Sequence, residues 1–99
     1  MTDGRLLPWP GPDGSPCRLI GKGWLHNLAD EMEETQLVMG ESVLRIAERI
    51  LGDEAVPVQE MRYLARQLSM VLTDVLRVAQ SRGERLAAVE QSAEDDDPT

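Results

Sequence analysis

Residues 24–60 read WLHNLADEMEETQLVMGESVLRIAERILGDEAVPVQE, and this stretch decides the fold. Leu25, Met32, Met39 and Ile46 recur every seven residues. Ala29, Gln36, Val43 and Ile50 recur beside them, four residues on. A repeat of this kind places both rows on one side of an α-helix, with Gln36 as the single polar member of an apolar seam. Leu37, Leu44, Ala47 and Leu51 form a second apolar strip, roughly 120° round the helix at about 100° per residue. The run stops at Gly52-Asp53-Glu54-Ala55-Val56, and Pro57 then suits the first turn of a new helix. At the other end, Gly23 or Asn27 can cap the first helix.

Downstream, Met61, Leu68 and Val75 repeat by seven, as do Leu64, Val71 and Val78, and Ala65, Leu72, Ala79 and Leu86. The pattern predicts a second helix over 57–88, with packing that weakens at Arg82-Gly83. With so short a connection, 24–51 and 57–88 form an antiparallel helical hairpin, each helix roughly 40 Å long at about 1.5 Å per residue. The fold class is all-α. Each helix carries an apolar arc wider than one neighbour covers, so the expected completion is a second copy and a four-helix bundle. A groove left open for another protein's helix is the alternative.

Around this hairpin, residues 1–23 form an arm in which Pro8, Pro10, Pro12 and Pro16 forbid a helix. Pro10-Gly11-Pro12-Asp13-Gly14 reads as a turn between two apolar runs, Arg5–Trp9 and Pro16–Ile20, which suit a short β-hairpin. Such a hairpin is barely stable alone, so Leu6, Trp9, Leu19 and Ile20 are expected to pack on the helices. Residues 89–99, with Glu94-Asp95-Asp96-Asp97-Pro98, read as a disordered acidic tail.

Composition narrows the function. The chain has 99 residues, a net charge of −8 and one cysteine, Cys17. A helical core of this size lacks disulfides and a metal-ligand set, which leaves association as its stabiliser. The opening residues lead into no long apolar run, so neither a signal peptide nor a membrane span is expected, and the predicted location is the cytoplasm. Charge is unevenly spread: +1 over 1–29, −7 over 30–60, +3 over 61–89 and −5 over the last ten residues. An acidic first helix beside a basic second one favours their pairing, and the acidic total argues against nonspecific nucleic-acid binding.

Chemistry-bearing patterns are sparse. Cys17, His26 and Asp30 hold the residue types of a nucleophile, a base and its orienting acid, but lie in a proline-rich arm and a helix start with no oxyanion hole in view. A small buried cysteine and a structural histidine fit better, so no catalytic residue, cofactor or metal is expected. Gly21-Lys22-Gly23 fails as a phosphate loop: Pro16 stands where a glycine is needed, and Gly23 where serine or threonine should follow the lysine. Asp30, Glu31, Glu33, Glu34 and Glu41 read as a solvated face. Arg62, Arg66, Arg77, Arg82 and Arg85 read as partners for the acidic helix or tail. Trp9, Trp24 and Tyr63 are expected to cluster where arm meets bundle, with Trp9 also a docking candidate.

The expected self-association interface is Leu25, Met32, Met39, Val43, Ile46, Ile50, Met61, Leu68 and Val75. Trp9, Trp24, Arg77 and Arg82 are the candidates for docking a partner. Together these residues point to a non-enzymatic homodimeric interaction or regulatory module that binds a protein. A small transcription-linked factor, such as an antagonist of a sigma factor, is the alternative, and direct DNA binding through Arg77, Arg82 and Arg85 ranks below both.

The opening Leu6-Leu7-Pro8-Trp9, Gly11-Pro12, Gly14 and Pro16-Cys17 resembles that of short helical proteins of streptomycetes and related actinobacteria. So do Gln36-Leu37 and Met39-Gly40 in the first helix, and Arg77-Val78-Ala79 and Ser81-Arg82-Gly83 in the second. The resemblance spans about residues 5–85. It implies a cytoplasmic accessory or regulatory protein and carries over no activity and no site.

Overall fold

A computed structural model describes residues 4–95. Its elements run β1 (Arg5–Pro10), β2 (Pro16–Leu19), α1 (Trp24–Leu51) and α2 (Val58–Asp95). The two helices form the expected antiparallel hairpin, and the molecule is elongated, with extents of 65 × 32 × 23 Å.

α1 begins after Gly23, whose φ of 144° lies where side chains other than hydrogen are strained, so glycine rather than Asn27 provides the cap. It ends at Gly52, which keeps a right-handed helical conformation instead of the left-handed one common at this position. The Gly52 amide donates to the Glu48 and Arg49 carbonyls. Asp53 accepts from the Ala55 amide through its side chain, and the Pro57 carbonyl receives the Glu60 and Met61 amides as α2 starts.

α2 does not fray at Arg82-Gly83 and does not stop near Ala88; it continues to Asp95. Gly83 costs about 1 kcal/mol against alanine, but Glu84, Arg85, Leu86, Ala87 and Ala88 after it are all good helix formers. The part of the expected disordered tail up to Asp95 is therefore helical, and residues 96–99 lie outside the described residues, as do 1–3.

The seam between the helices is not the one its richest apolar row suggests. Buried or half-buried on α1 are Ala29, Gln36, Val43 and Ile50, with Glu33, Gly40 and Ala47 alternating between them. In heptad terms the first four occupy d and the other three a. On α2 the matching positions are Met61, Leu68 and Val75 at a, and Leu64, Val71, Val78 and Arg85 at d. Val43, Ala47 and Leu64 form the core, with Ile50, Leu68 and Val71 against it. A Cβ on Gly40 would lie 3.2 Å from Val75 Cγ2, so the glycine lets the helices approach closely there.

The row Leu25, Met32, Met39 and Ile46 falls at g, on the flank of this seam. Met32, Met39 and Ile46 are exposed and Leu25 is half-buried. Val43 and Ile50, expected at a dimer interface, instead hold the chain's own hairpin together.

Near the hairpin's open end the β-sheet completes the core. β1 and β2 pair antiparallel, with Arg5 opposite Leu19 and Pro10 opposite Pro16, and an irregularity between Leu6 and Pro10. Leu6, Leu7 and Pro8 are buried, whereas Trp9 and Leu19 are half-buried and Ile20 is 77% exposed. The expected arm contacts thus hold for Leu6 and fail for Ile20, which lies past the end of β2.

Three helix side chains donate to carbonyls of β1. Ser81 Oγ donates to the Leu6 carbonyl at 2.7 Å. The Pro8 carbonyl accepts from Gln36 Nε2 on α1 at 2.7 Å and from Arg77 on α2 at 3.3 Å. β1 has prolines at positions 8 and 10, so its backbone is satisfied by helix side chains where a ladder cannot form.

Candidate functional site

Two features can carry function: a polar cluster at the open end of the hairpin, and the apolar flanks of the helices.

The cluster is centred on Glu33, which is 1% exposed. Arg85 Nη2 lies 2.9 Å from both of its carboxylate oxygens, Arg82 Nε 3.4 Å from one, and Arg5 Nη2 3.4 Å from the other. Arg5 also reaches Asp30 Oδ1 at 2.6 Å, and Arg82 reaches Glu34 at 3.0 Å. Glu34 first, then Glu33, raise the pKa of the Arg82 guanidinium. Of the five carboxylates read as a solvated face, Asp30, Glu31, Glu34 and Glu41 are exposed, and Glu33 is not. It sits at a seam position, where three arginines from β1 and α2 replace its lost water.

The nucleophile and base types do not assemble. His26 Nε2 donates to the Gly21 carbonyl at 2.7 Å, which leaves Nδ1 to accept from Arg5 at 3.3 Å. Asp30 faces Arg5 rather than the imidazole. Cys17 is half-buried on β2, and among the described residues no hydrogen bond joins it to His26 or Asp30. No group of three or more potential metal ligands occurs among the described residues. Among those residues no helix is long and apolar enough to cross a membrane.

Of the docking candidates, Arg77 and Arg82 are held within the chain, Arg77 by Asp74 and the Pro8 carbonyl, Arg82 by Glu33 and Glu34. The pairing expected between the arginines of α2 and the acidic α1 is therefore present at Arg82 and Arg85. Trp24 is 71% exposed at the start of α1. The three aromatics do not cluster: Tyr63 lies near the turn, at the opposite end of the hairpin from Trp24, and Trp9 lies in the sheet.

The apolar flanks differ from each other. On a helical wheel, positions e and b follow a on one side of the seam, and g and c follow d on the other. In an antiparallel pair the two e edges share one side and the two g edges the other. On the g side, next to the turn, Val43, Ile46, Ile50, Tyr63, Leu64 and Gln67 line an open groove of about 870 Å³, with Arg62 and Arg66 also at its wall. The g row is apolar on α1 but reads Glu60, Gln67, Asp74 and Ser81 on α2.

On the e side the row of α1 starts at the ion-paired Asp30 and is then apolar, Leu37, Leu44 and Leu51, beside Ala65, Leu72, Ala79 and Leu86 on α2. Leu44, Leu51, Leu72 and Leu86 are each more than half exposed. The expected interface residues Met61, Leu68 and Val75 border this face, with Leu68 and Val75 half-buried in the seam. The e row of α1 is visible in the sequence as the second strip, but its place opposite Leu72 is fixed only once the phase of the seam is known.

No family model, curated protein or solved structure matches the chain.

Proposed function

We propose that the protein is a non-enzymatic interaction module that associates with itself and binds a protein partner in the cytoplasm. The observation that carries this reading is the e side, where Leu44 and Leu51 of α1 and Leu72 of α2 lie exposed on one apolar face. Fully burying one leucine is worth about 1.5–3 kcal/mol, and contiguous apolar faces on soluble chains mark association surfaces. A regulatory role is the simplest use of a small chain whose largest exposed features are docking surfaces. The groove at Ile46, Ile50 and Tyr63, on the other side of the hairpin, is the place for the partner, an amphipathic helix laid along an apolar floor.

Sedimentation equilibrium from low to high micromolar concentration tests the first part. A dimer that dissociates on dilution is expected, and a folded monomer throughout would overturn it. Ile46→Asp tests the second part: it should abolish capture of the partner from native cells and leave the dimer intact. Unchanged capture would remove the groove as the site.

A further inference from the structure

We propose that the occupant of the e face is a second copy of this chain, placed about a two-fold axis parallel to the helices, so that each α1 lies on the other copy's α2 and both turns lie at the same end. This rests on the self-association proposed above and assigns its geometry. A second arrangement, with the two-fold axis across the helices, would instead lay α1 on α1 and α2 on α2, with the turns at opposite ends. Side-chain size and charge separate the two.

Size comes first. Gly40 stands level with Val75, which sets the register of the whole hairpin. By that register Leu37 is level with Ala79, Leu44 with Leu72, and Leu51 with Ala65. A two-fold axis parallel to the helices preserves these levels, so Leu37 and Leu51 of one copy face Ala79 and Ala65 of the other. Large side chains opposite small ones interdigitate as a packed core requires. Leu44 meets a leucine in either arrangement, Leu72 in the parallel one and itself in the crossed one, so the flanking positions decide. The crossed arrangement sets Leu37 against Leu51 on one helix pair. On the other it sets Ala65 against Ala79, crowding one half of the interface and leaving the other half loose.

Charge agrees. Just outside the e row, position b of α1 holds Glu34, Glu41 and Glu48, all exposed, while position b of α2 holds Arg62, Ser69 and Leu76, none of them acidic. In the parallel arrangement each glutamate row runs beside this uncharged or basic stretch of the other copy's α2. In the crossed arrangement the two glutamate rows run along the same edge, and like charges there oppose association. The g side offers no rival face for self-packing. Its α2 row is polar, and Ser81 and Asp74 already serve β1 and Arg77.

The test places a spin label at Ala87→Cys in a Cys17→Ser background and measures the label-to-label distance in the dimer. Position 87 is exposed and lies far along α2 from the centre of the face. With helices 8–10 Å apart the parallel arrangement puts the labels within roughly 30 Å. The crossed one separates them by about 50 Å, at 1.5 Å per residue on either side of Leu44. A short distance supports the proposal, and a long distance in an intact dimer overturns it while self-association stands. A monomeric labelled chain, checked against the unlabelled parent, overturns the reading on which it rests.

Discussion

Replacing Glu33 by glutamine keeps the shape of the side chain and removes its charge from a site that is 1% exposed. Three guanidiniums converge there. Arg5 is the most deeply placed, with its side chain only 7% exposed, while those of Arg85 and Arg82 are 34% and 47% exposed. Removing one partner of a buried ion pair costs about 3–5 kcal/mol, because the remaining charge has neither water nor counter-charge. Here each arginine retains another carboxylate: Asp30 for Arg5 and Arg85, and Glu34 for Arg82. The expected loss is therefore near the lower end of that range, about 3 kcal/mol. Arg82→Ala, by contrast, removes a half-exposed member and should cost no more than about 1 kcal/mol. Urea unfolding followed by helical circular dichroism, at one fixed protein concentration because dissociation adds to the apparent stability, measures both. If Glu33→Gln and Arg82→Ala cost the same, or if the glutamine variant stays within about 0.5 kcal/mol of the parent, the cluster is not the buried tie described above.

Ser81→Ala deletes the hydroxyl that donates to the Leu6 carbonyl and leaves that oxygen buried without its donor. A loss of about 1–3 kcal/mol is expected in the same unfolding assay, with faster amide exchange in β1. Gly83 is helical, and a Cβ added there would meet nothing within 4 Å, so Gly83→Ala should stabilise by about 0.5–1 kcal/mol; a loss would show that the helix bends there. The salt link of Arg18 to Glu84 predicts a pH dependence. Arg18, then Gln80, hold the Glu84 carboxyl below its ordinary 4.5. The unfolded chain then takes up a proton first, so this contribution is complete above that value and disappears as pH falls through the folded one. Glu84→Gln should flatten the acid limb of the stability curve, and superimposable curves for parent and variant would contradict the link.

Much of the fold is legible in the sequence because its signals are local. The seven-residue repeats, the Gly52–Pro57 interruption and the prolines of the arm place α1, the turn, the start of α2 and the β-hairpin. The phase of the seam is not local. Leu25, Met32, Met39 and Ile46 are larger and more apolar than Glu33, Gly40 and Ala47, so hydrophobicity alone points inward from the wrong row. Close approach favours the small residues Gly40 and Ala47 instead, and three arginines make Glu33 acceptable among them. The only trace of this in sequence is the spacing of Arg82 and Arg85 at the level of Glu33 in an antiparallel register. The extent of α2 escapes for a different reason: the break that Gly83 suggests is outweighed by the five favourable residues after it. The e face depends on the seam's phase, and so becomes readable only with the structure.

β1 precedes both helices in the chain; α1 holds it through Asp30, Glu33 and Gln36, and its remaining anchors, Ser81, Arg77 and, through the sheet, Glu84, lie in the far half of α2. During synthesis the anchors on α2 are made late. Until the far half of α2 has left the ribosome the strand has only its partners on α1, and its seating is completed when the oldest residues meet some of the newest.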